Sequence, residues 1–176
     1  MALKLIADGV LHKSEIGGVQ LRLRSEDEVR EAFERILANA AQHQVPPQAM
    51  RGVLVSEMVV DGIELLVGVH RDEVFGPVLT VGAGGVWVEV DADVARCHLP
   101  VNRAGIEAAL ERTRIGRRLA GHRGLPARDK SAAVDAVQRI AALFSALGEG
   151  VQSLEVNPLV VLDEGRGAVA LDAVIE

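Results

Sequence analysis

Leu154-Glu155-Val156-Asn157-Pro158-Leu159-Val160-Val161-Leu162, followed after Asp163-Glu164-Gly165-Arg166 by Gly167-Ala168-Val169-Ala170-Leu171-Asp172-Ala173-Val174-Ile175, predicts a β-hairpin near the C-terminus. If the quartet forms the loop, Leu162 pairs with Gly167, and counting back sets Asn157 opposite Asp172. Side chains alternate with period two, so Glu155 shares their face. Two carboxylates and an amide oxygen among Val and Leu are costly to bury without a partner. Hard oxygen ligands of this kind suit Mg²⁺ that also holds a phosphate, since that ion usually takes only one or two protein ligands. An edge hairpin with solvated polar residues fits the same pattern, and Pro158 favours an edge or a bulge.

Upstream of the hairpin, the pattern predicts a short strand over Ala2–Ala7, a polar loop over 8–15 and a second strand over 18–23. Ser25 and Glu28 form a capping box for a helix whose apolar stripe is Val29, Phe33, Ile36, Leu37 and Ala40. Pro46 and Pro47 mark a surface loop over 44–48. Runs 53–60 and 63–70 read as strands joined by Asp61-Gly62, a two-residue hairpin signal. Runs 78–81 and 86–90 flank a glycine-rich turn. Helices are expected over 103–112, 114–120 and 131–147, the last stopped by Gly148. Strands and helices mix without a βαβ repeat, which predicts an α+β fold with a largely antiparallel sheet.

The chain has 176 residues, enough for one well-buried domain or two small lobes. Its longest uncharged stretch, 74–88, is broken by Gly76, Pro77, Gly82, Gly84 and Gly85, so no membrane span is expected. Met1 leads straight into a strand-like run with no basic n-region or cleavage site, and Cys97 stands alone, which fits a reducing cytoplasm. The formal net charge is −6, there is no tyrosine, and there is one tryptophan. Basic residues are scattered apart from a cluster over 112–123. With few stacking platforms and little of a basic groove, nucleic acid is not an expected partner.

Four further groups could do chemistry. Pairing Val60 with Ile63 would set Glu57 opposite Leu66 and Glu64 opposite Val59, both carboxylates on one face. They would line a cleft that grips ribose or an adenine amine, or simply face water. Gly82, Gly84 and Gly85 let a backbone approach a phosphate and aim several N–H groups at it, although a tight structural turn needs the same residues. His12, in a loop closed by Gly17-Gly18, is placed either as a nucleophile toward phosphorus or as a surface histidine. Lys4 lies in an apolar strand, where an ammonium needs an anionic partner such as a phosphate.

Taken in order, Leu3-Lys4, Leu11-His12-Lys13-Ser14-Glu15-Ile16-Gly17-Gly18-Val19, Val55-Ser56-Glu57-Met58, Glu64-Leu65-Leu66-Val67-Gly68, Arg71-Asp72-Glu73-Val74-Phe75-Gly76-Pro77, Gly82-Ala83-Gly84-Gly85, Gly121-His122-Arg123-Gly124 and Glu155-Val156-Asn157-Pro158-Leu159 with Leu171-Asp172-Ala173 closely resemble one family. It is the ATP-grasp domain of NDP-forming acyl-CoA synthetases, as in the β subunit of ADP-forming acetyl-CoA synthetase. The chain is more distantly similar to the β subunit of succinyl-CoA synthetase.

That resemblance implies an ATP-grasp fold, ATP or ADP with Mg²⁺ as cofactors, and a phosphoryl relay between the nucleotide and an acyl phosphate. By position, Lys4 matches a phosphate-binding lysine, His12 a phosphohistidine and Glu155 the glutamate that steadies it. Asn157 and Asp172 match the Mg²⁺ ligands. Glu64, Glu57, Gly82, Gly84, Gly85 and Arg123 fall where nucleotide contacts are expected. The family's domain begins well before the lysine strand, so the N-terminal lobe is expected to be truncated here. CoA-binding and CoA-ligase domains or a subunit carrying them are implied as partners, within an oligomer, because this chain alone would not complete the cycle. A non-catalytic regulatory or oligomerisation module, as in the synthetase-like parts of protein acetyltransferases, is the alternative.

Overall fold

The computed structural model of the chain describes residues 1–10, 13–85, 93–121, 124 and 126–176. Two compact units are present, Met1–Val60 and Asp61–Glu176.

In the first unit, β1 (Ala2–Ala7) is flanked by β2 (Val19–Gln20) and β3 (Met50–Ser56), both antiparallel to it. β2 is shorter than the expected 18–23 because Arg22 adopts a left-handed φ of 62°, which breaks extended pairing. α1 (Glu26–Gln42) covers one face of this sheet, and Leu3, Leu5, Ala32, Ile36 and Ala40 form the core between them. The capping box is present: Ser25 Oγ accepts from Glu28 N at 3.2 Å, while Glu28 Oε2 accepts from Arg24 N at 2.7 Å. The buried stripe differs from expectation. Phe33 is 40% exposed and Ala32 is fully buried. The stripe runs Ala32, Ile36, Ala40 at i, i+4, i+8, where small alanines let the helix approach the strands.

The Asp61-Gly62 hairpin does not form. β3 pairs with β1, while β4 (Ile63–Asp72) pairs with β5 (Gly76–Ala83) and β7 (Ser153–Val161). Gly62 has φ 140°, outside the values a two-residue hairpin turn uses, and Asp61 is held by the Arg128 guanidinium at 3.0 Å. Glu64 therefore faces Val160 across the strands, not Val59, and Glu57 is not paired with Leu66.

The second unit has one antiparallel sheet in the order β6-β5-β4-β7-β8, with β6 at Val94–His98, β8 at Ala168–Ala170, and β9 (Ala173–Ile175) also pairing with β7. α2 (Arg103–Glu111), α3 (Arg114–Leu119) and α4 (Lys130–Leu147) pack on one face of it. Each starts on a side-chain cap: Asn102, Thr113 and Asp129 accept from Gly105 N, Gly116 N and Ala132 N at 2.9, 2.9 and 3.0 Å. Val67, Val69, Leu79, Val81, Ile106, Leu110, Val137 and Phe144 fill the space between sheet and helices. β6 was not expected from sequence. The strand expected over 86–90 lies outside the described residues.

Asp129 joins the start of α4 to the C-terminal hairpin, because its Oδ2 accepts from Gly167 N at 3.0 Å. The Ala132 and Gly167 N–H groups hold its carboxyl below the usual carboxylate range. A carboxyl depressed on folding adds stability that is complete above its unfolded pKa of about 3.9 and is lost as pH falls through the lower folded value. Asp129→Asn should therefore be less stable than the parent at pH 7, and the gap should shrink on acidification below that range. Urea midpoints at neutral and acid pH test this, and a gap that does not change with pH would contradict it.

Candidate functional site

Among the described residues of the second unit, the helices all pack on one face of its sheet, and the other is its outer face. Leu65, Val67 and Val69 point into the core, so Glu64, Leu66, Gly68 and His70 lie on the outer face. β7 needs a register change to present its polar residues there. Val67 pairs with Val156 but Leu65 pairs with Leu159, so Asn157 and Pro158 together oppose Leu66. The core-facing phase consequently passes from Leu154 and Val156 to Leu159 and Val161. Pro158 thus marks a bulge in an interior strand and not a sheet edge.

The hairpin register is the one expected from its loop. Leu162 N donates to Gly167 O at 3.0 Å and Asn157 N to Asp172 O at 3.1 Å, while Glu155 pairs with Val174. Glu155, Asn157 and Asp172 therefore share the outer face. Asp172 Oδ1 also accepts from Ala173 N at 3.1 Å. Glu155 is exposed, and Asn157 and Asp172 are half-buried.

The glycine segment meets this patch. Asn157 Oδ1 accepts from Gly85 N at 2.8 Å, and Gly84 N donates to Glu64 O at 3.0 Å. A Cβ on Gly84 would sit 2.4 Å from the Leu65 carbonyl carbon, so only glycine lets the two strand ends approach this closely. Gly85 has φ +68°, and a Cβ there would lie 1.8 Å from Glu64 Oε2, which places the Glu64 carboxylate against the Gly85 backbone. Gly82 is different: it lies within β5, paired with Leu66 and Val94, and is not part of the turn. A Cβ on Gly82 would meet Asp93 O at 2.5 Å.

Glu64, Gly84, Gly85, Asn157 and Asp172 are thus gathered at one end of the sheet's outer face, and Glu155 lies on the same face further along, opposite Gly68. Lys4 and Glu57 belong to the first unit. Lys4 is half-buried, between Val19 and Leu54 on the side of β1 away from Leu3 and Leu5. Glu57 is exposed, just past the end of β3. His12 and Arg123 lie outside the described residues. Gly68, part of the Glu64–Gly68 segment, has no role assigned from the sequence. It pairs with Glu155 on one side and Thr80 on the other, and open space lies where its Cβ would be. A glycine at an outward position of an otherwise aliphatic strand was the available signal. Among the described residues no three His, Cys, Asp or Glu side chains gather as a metal site, so a cation here would have to use the Asn157 amide with a carboxylate.

An antiparallel sheet with helices on one face and an oxygen-rich outer face fits an ATP-grasp domain. The chain belongs to that family: the ATP-grasp domain matches residues 1–176. The chain is 32% identical over 173 residues to the β subunit of acetate–CoA ligase [ADP-forming] II of Pyrococcus furiosus, covering 98% of this chain and 73% of the subunit. It is 33% identical to 4-hydroxybutyrate–CoA ligase [ADP-forming] of Nitrosopumilus maritimus, covering 98% of this chain but 24% of that protein. Against dinucleotide forming acetyl-coenzyme A synthetase 1 of Ca. Korarchaeum cryptofilum, solved with coenzyme A, Ca-AMPCP and HgCl⁺, it has a TM-score of 0.88 at 35% identity, over 99% of this chain and 74% of that one. The chain therefore spans about a quarter of the length of the single-chain ligase and about three quarters of the β subunit. No helix among the described residues is long and apolar enough to cross a membrane.

Proposed function

We propose that this chain is the nucleotide-binding module of an ADP-forming acyl-CoA synthetase, working with CoA-binding and CoA-ligase domains supplied elsewhere. The observation that carries the reading is the convergence of Asn157 and Asp172 beside the Gly84-Gly85 backbone, with Glu155 on the same face. Hard oxygens are what the cation of a bound nucleoside diphosphate requires, while the Gly84 and Gly85 N–H groups are spent on Glu64 O and Asn157 Oδ1 and so hold the site's shape. The donor set fits Mg²⁺: Asn157 Oδ1 has two lone pairs and spends one on Gly85 N. Asn157 and Asp172 would hold the ion, whose charge would neutralise the phosphates when bound. A structure of the Korarchaeum synthetase at 32% identity holds coenzyme A and Mg-AMPPCP with a phosphohistidine segment pointing towards the nucleotide site, which supports the same assignment.

In this reading Lys4 contributes a fixed positive charge toward phosphate, and Glu64 accepts from the nucleoside. His12 is the relay. Its imidazole nitrogen attacks the γ-phosphorus of ATP, a P–N bond forms as the P–O bond to ADP breaks, and ADP leaves. Glu155 steadies the phosphorylated imidazole by accepting from its remaining N–H. Incubation with γ-³²P-ATP, Mg²⁺ and the CoA-ligase subunit should give acid-labile label that is lost in His12→Ala. Absence of label, or label that persists in that variant, rules out the relay.

A further inference from the structure

We propose that the outer face of the second unit's sheet carries another anion site, distinct from the Asn157 patch, that takes a phosphoryl oxyanion. It is built on a row of cross-strand neighbours: His70 on β4, Val78 on β5 and His98 on β6 lie side by side in register. Arg96 stands two residues from His98 on the same strand and so on the same face, paired with Thr80. A shallow cavity of about 320 Å³ opens here, and His70, Asp72, Phe75, Val78, Arg96 and His98 line it together with Cys97.

The lining has the chemistry of an anion seat. Two imidazoles and one guanidinium, His70 from β4 and Arg96 and His98 from β6, line one volume across β5, and the guanidinium fork suits phosphate geometry. Among the described residues, no carboxylate lies in ion-pair range of Arg96, so its charge is available. Asp72 is the one acidic group in the lining; its Oδ1 accepts from Val74 N and Phe75 N, both at 2.9 Å, which closes the β4–β5 turn, and its carboxylate also interacts with His70 and His98, so a bound oxyanion has to compete with it. Val78 forms a buried apolar floor, and the Phe75 ring lies 5.6 Å from the His98 ring at 54°, holding that imidazole by its side. Phe75 and Val74 are themselves 65% and 82% exposed, leaving an apolar lip for the organic part of a phosphate ester.

This seat is separate from the nucleotide patch. His70 is four residues along β4 from Leu66, which faces Asn157, so roughly 13 Å of strand lies between them; Glu155 comes nearer, opposite Gly68 and two residues from His70 along the sheet. Nor does it rest on the nucleotide reading, because none of its residues belongs to the Asn157 patch.

The test is a titration of the ¹⁵N-labelled chain with inorganic phosphate, following the imidazole resonances, with acetate and chloride at matched ionic strength and with acetyl phosphate and ADP as further arms. Phosphate should shift His70 and His98 and leave His43, in the first unit, unmoved. Arg96→Gln should weaken this response at least about tenfold, as expected for loss of a charge-assisted bidentate contact. Asn157→Ala should leave it intact while abolishing any Mg²⁺-dependent response to ADP, so failure here and failure of the nucleotide site are distinguishable. The acetyl phosphate and ADP arms tell whether the bound oxyanion comes from an acyl phosphate or a nucleotide. No shift at either histidine with millimolar phosphate, an equal shift with acetate, or a response that survives Arg96→Gln would each overturn the proposal.

Discussion

Asp172→Ala is expected to weaken Mg²⁺-dependent ADP binding by about 100-fold, equivalent to ~2.7 kcal/mol. The substitution removes the one carboxylate set opposite Asn157 on the outer face. A divalent ion between hard oxygens and a polyphosphate loses a full unit of countercharge when it goes. Asp172→Asn should be intermediate, since an oxygen remains but the charge does not. Asn157→Ala should match Asp172→Ala in binding and in addition cost about 1 kcal/mol of stability, because Gly85 N loses its acceptor. Isothermal titration of parent and variants with ADP, with and without Mg²⁺, measures these effects. Equal affinity for parent and Asp172→Ala would remove the carboxylate from the site.

Phe144→Ala should be the most damaging single change to the fold, at about 3–5 kcal/mol. The ring is fully buried in the core between sheet and helices, and the surrounding strands cannot collapse onto the space it leaves. It also carries a second load. The Arg71 guanidinium carbon lies 4.9 Å over the ring, and the same side chain donates to Val151 O at 2.9 Å and to Gly148 O at 2.6 Å. Those carbonyls follow α4 and lead into β7, so loss of the ring loosens the approach to the hairpin that bears Asn157. Against a typical total stability of about 5–15 kcal/mol, such a loss is a large fraction. Urea unfolding by circular dichroism tests it, and a change below about 1 kcal/mol would mean the core repacks around the gap.

The parts of the site that could be read from the chain are those fixed by local chemistry. The 163–166 loop sets the register that brings Asn157 opposite Asp172, and the Ser25 capping box sets the start of α1. What could not be read was decided by non-local competition. Asp61-Gly62 is a strong local hairpin signal, yet β3 finds β1 and β4 finds β5 and β7, because those pairings bury Leu3, Leu5, Leu65 and Val67 in two separate cores. Glu57 and Glu64 part company for that reason. The phase of α1 was misjudged because Phe33 is more hydrophobic than Ala32, although the close contact favours the smaller residue. β6 went unseen because Arg96 and His98 mask an alternation in which Ala95 and Cys97 face the core. Pro158 signalled a bulge without showing that the bulge lies in an interior strand.

The central claim is that Asn157 and Asp172 together seat a divalent cation against nucleotide phosphates. Adding Mn²⁺ in place of Mg²⁺, with ADP, to the ¹⁵N-labelled chain tests this most directly, because the paramagnetic ion erases amide signals around its own position. The account predicts that Gly85, Asn157 and Ala173 broaden first, only when ADP is present, and not in Asp172→Ala. Broadening centred elsewhere in the chain, or signals at these three amides that survive saturating Mn²⁺ and ADP, would contradict it.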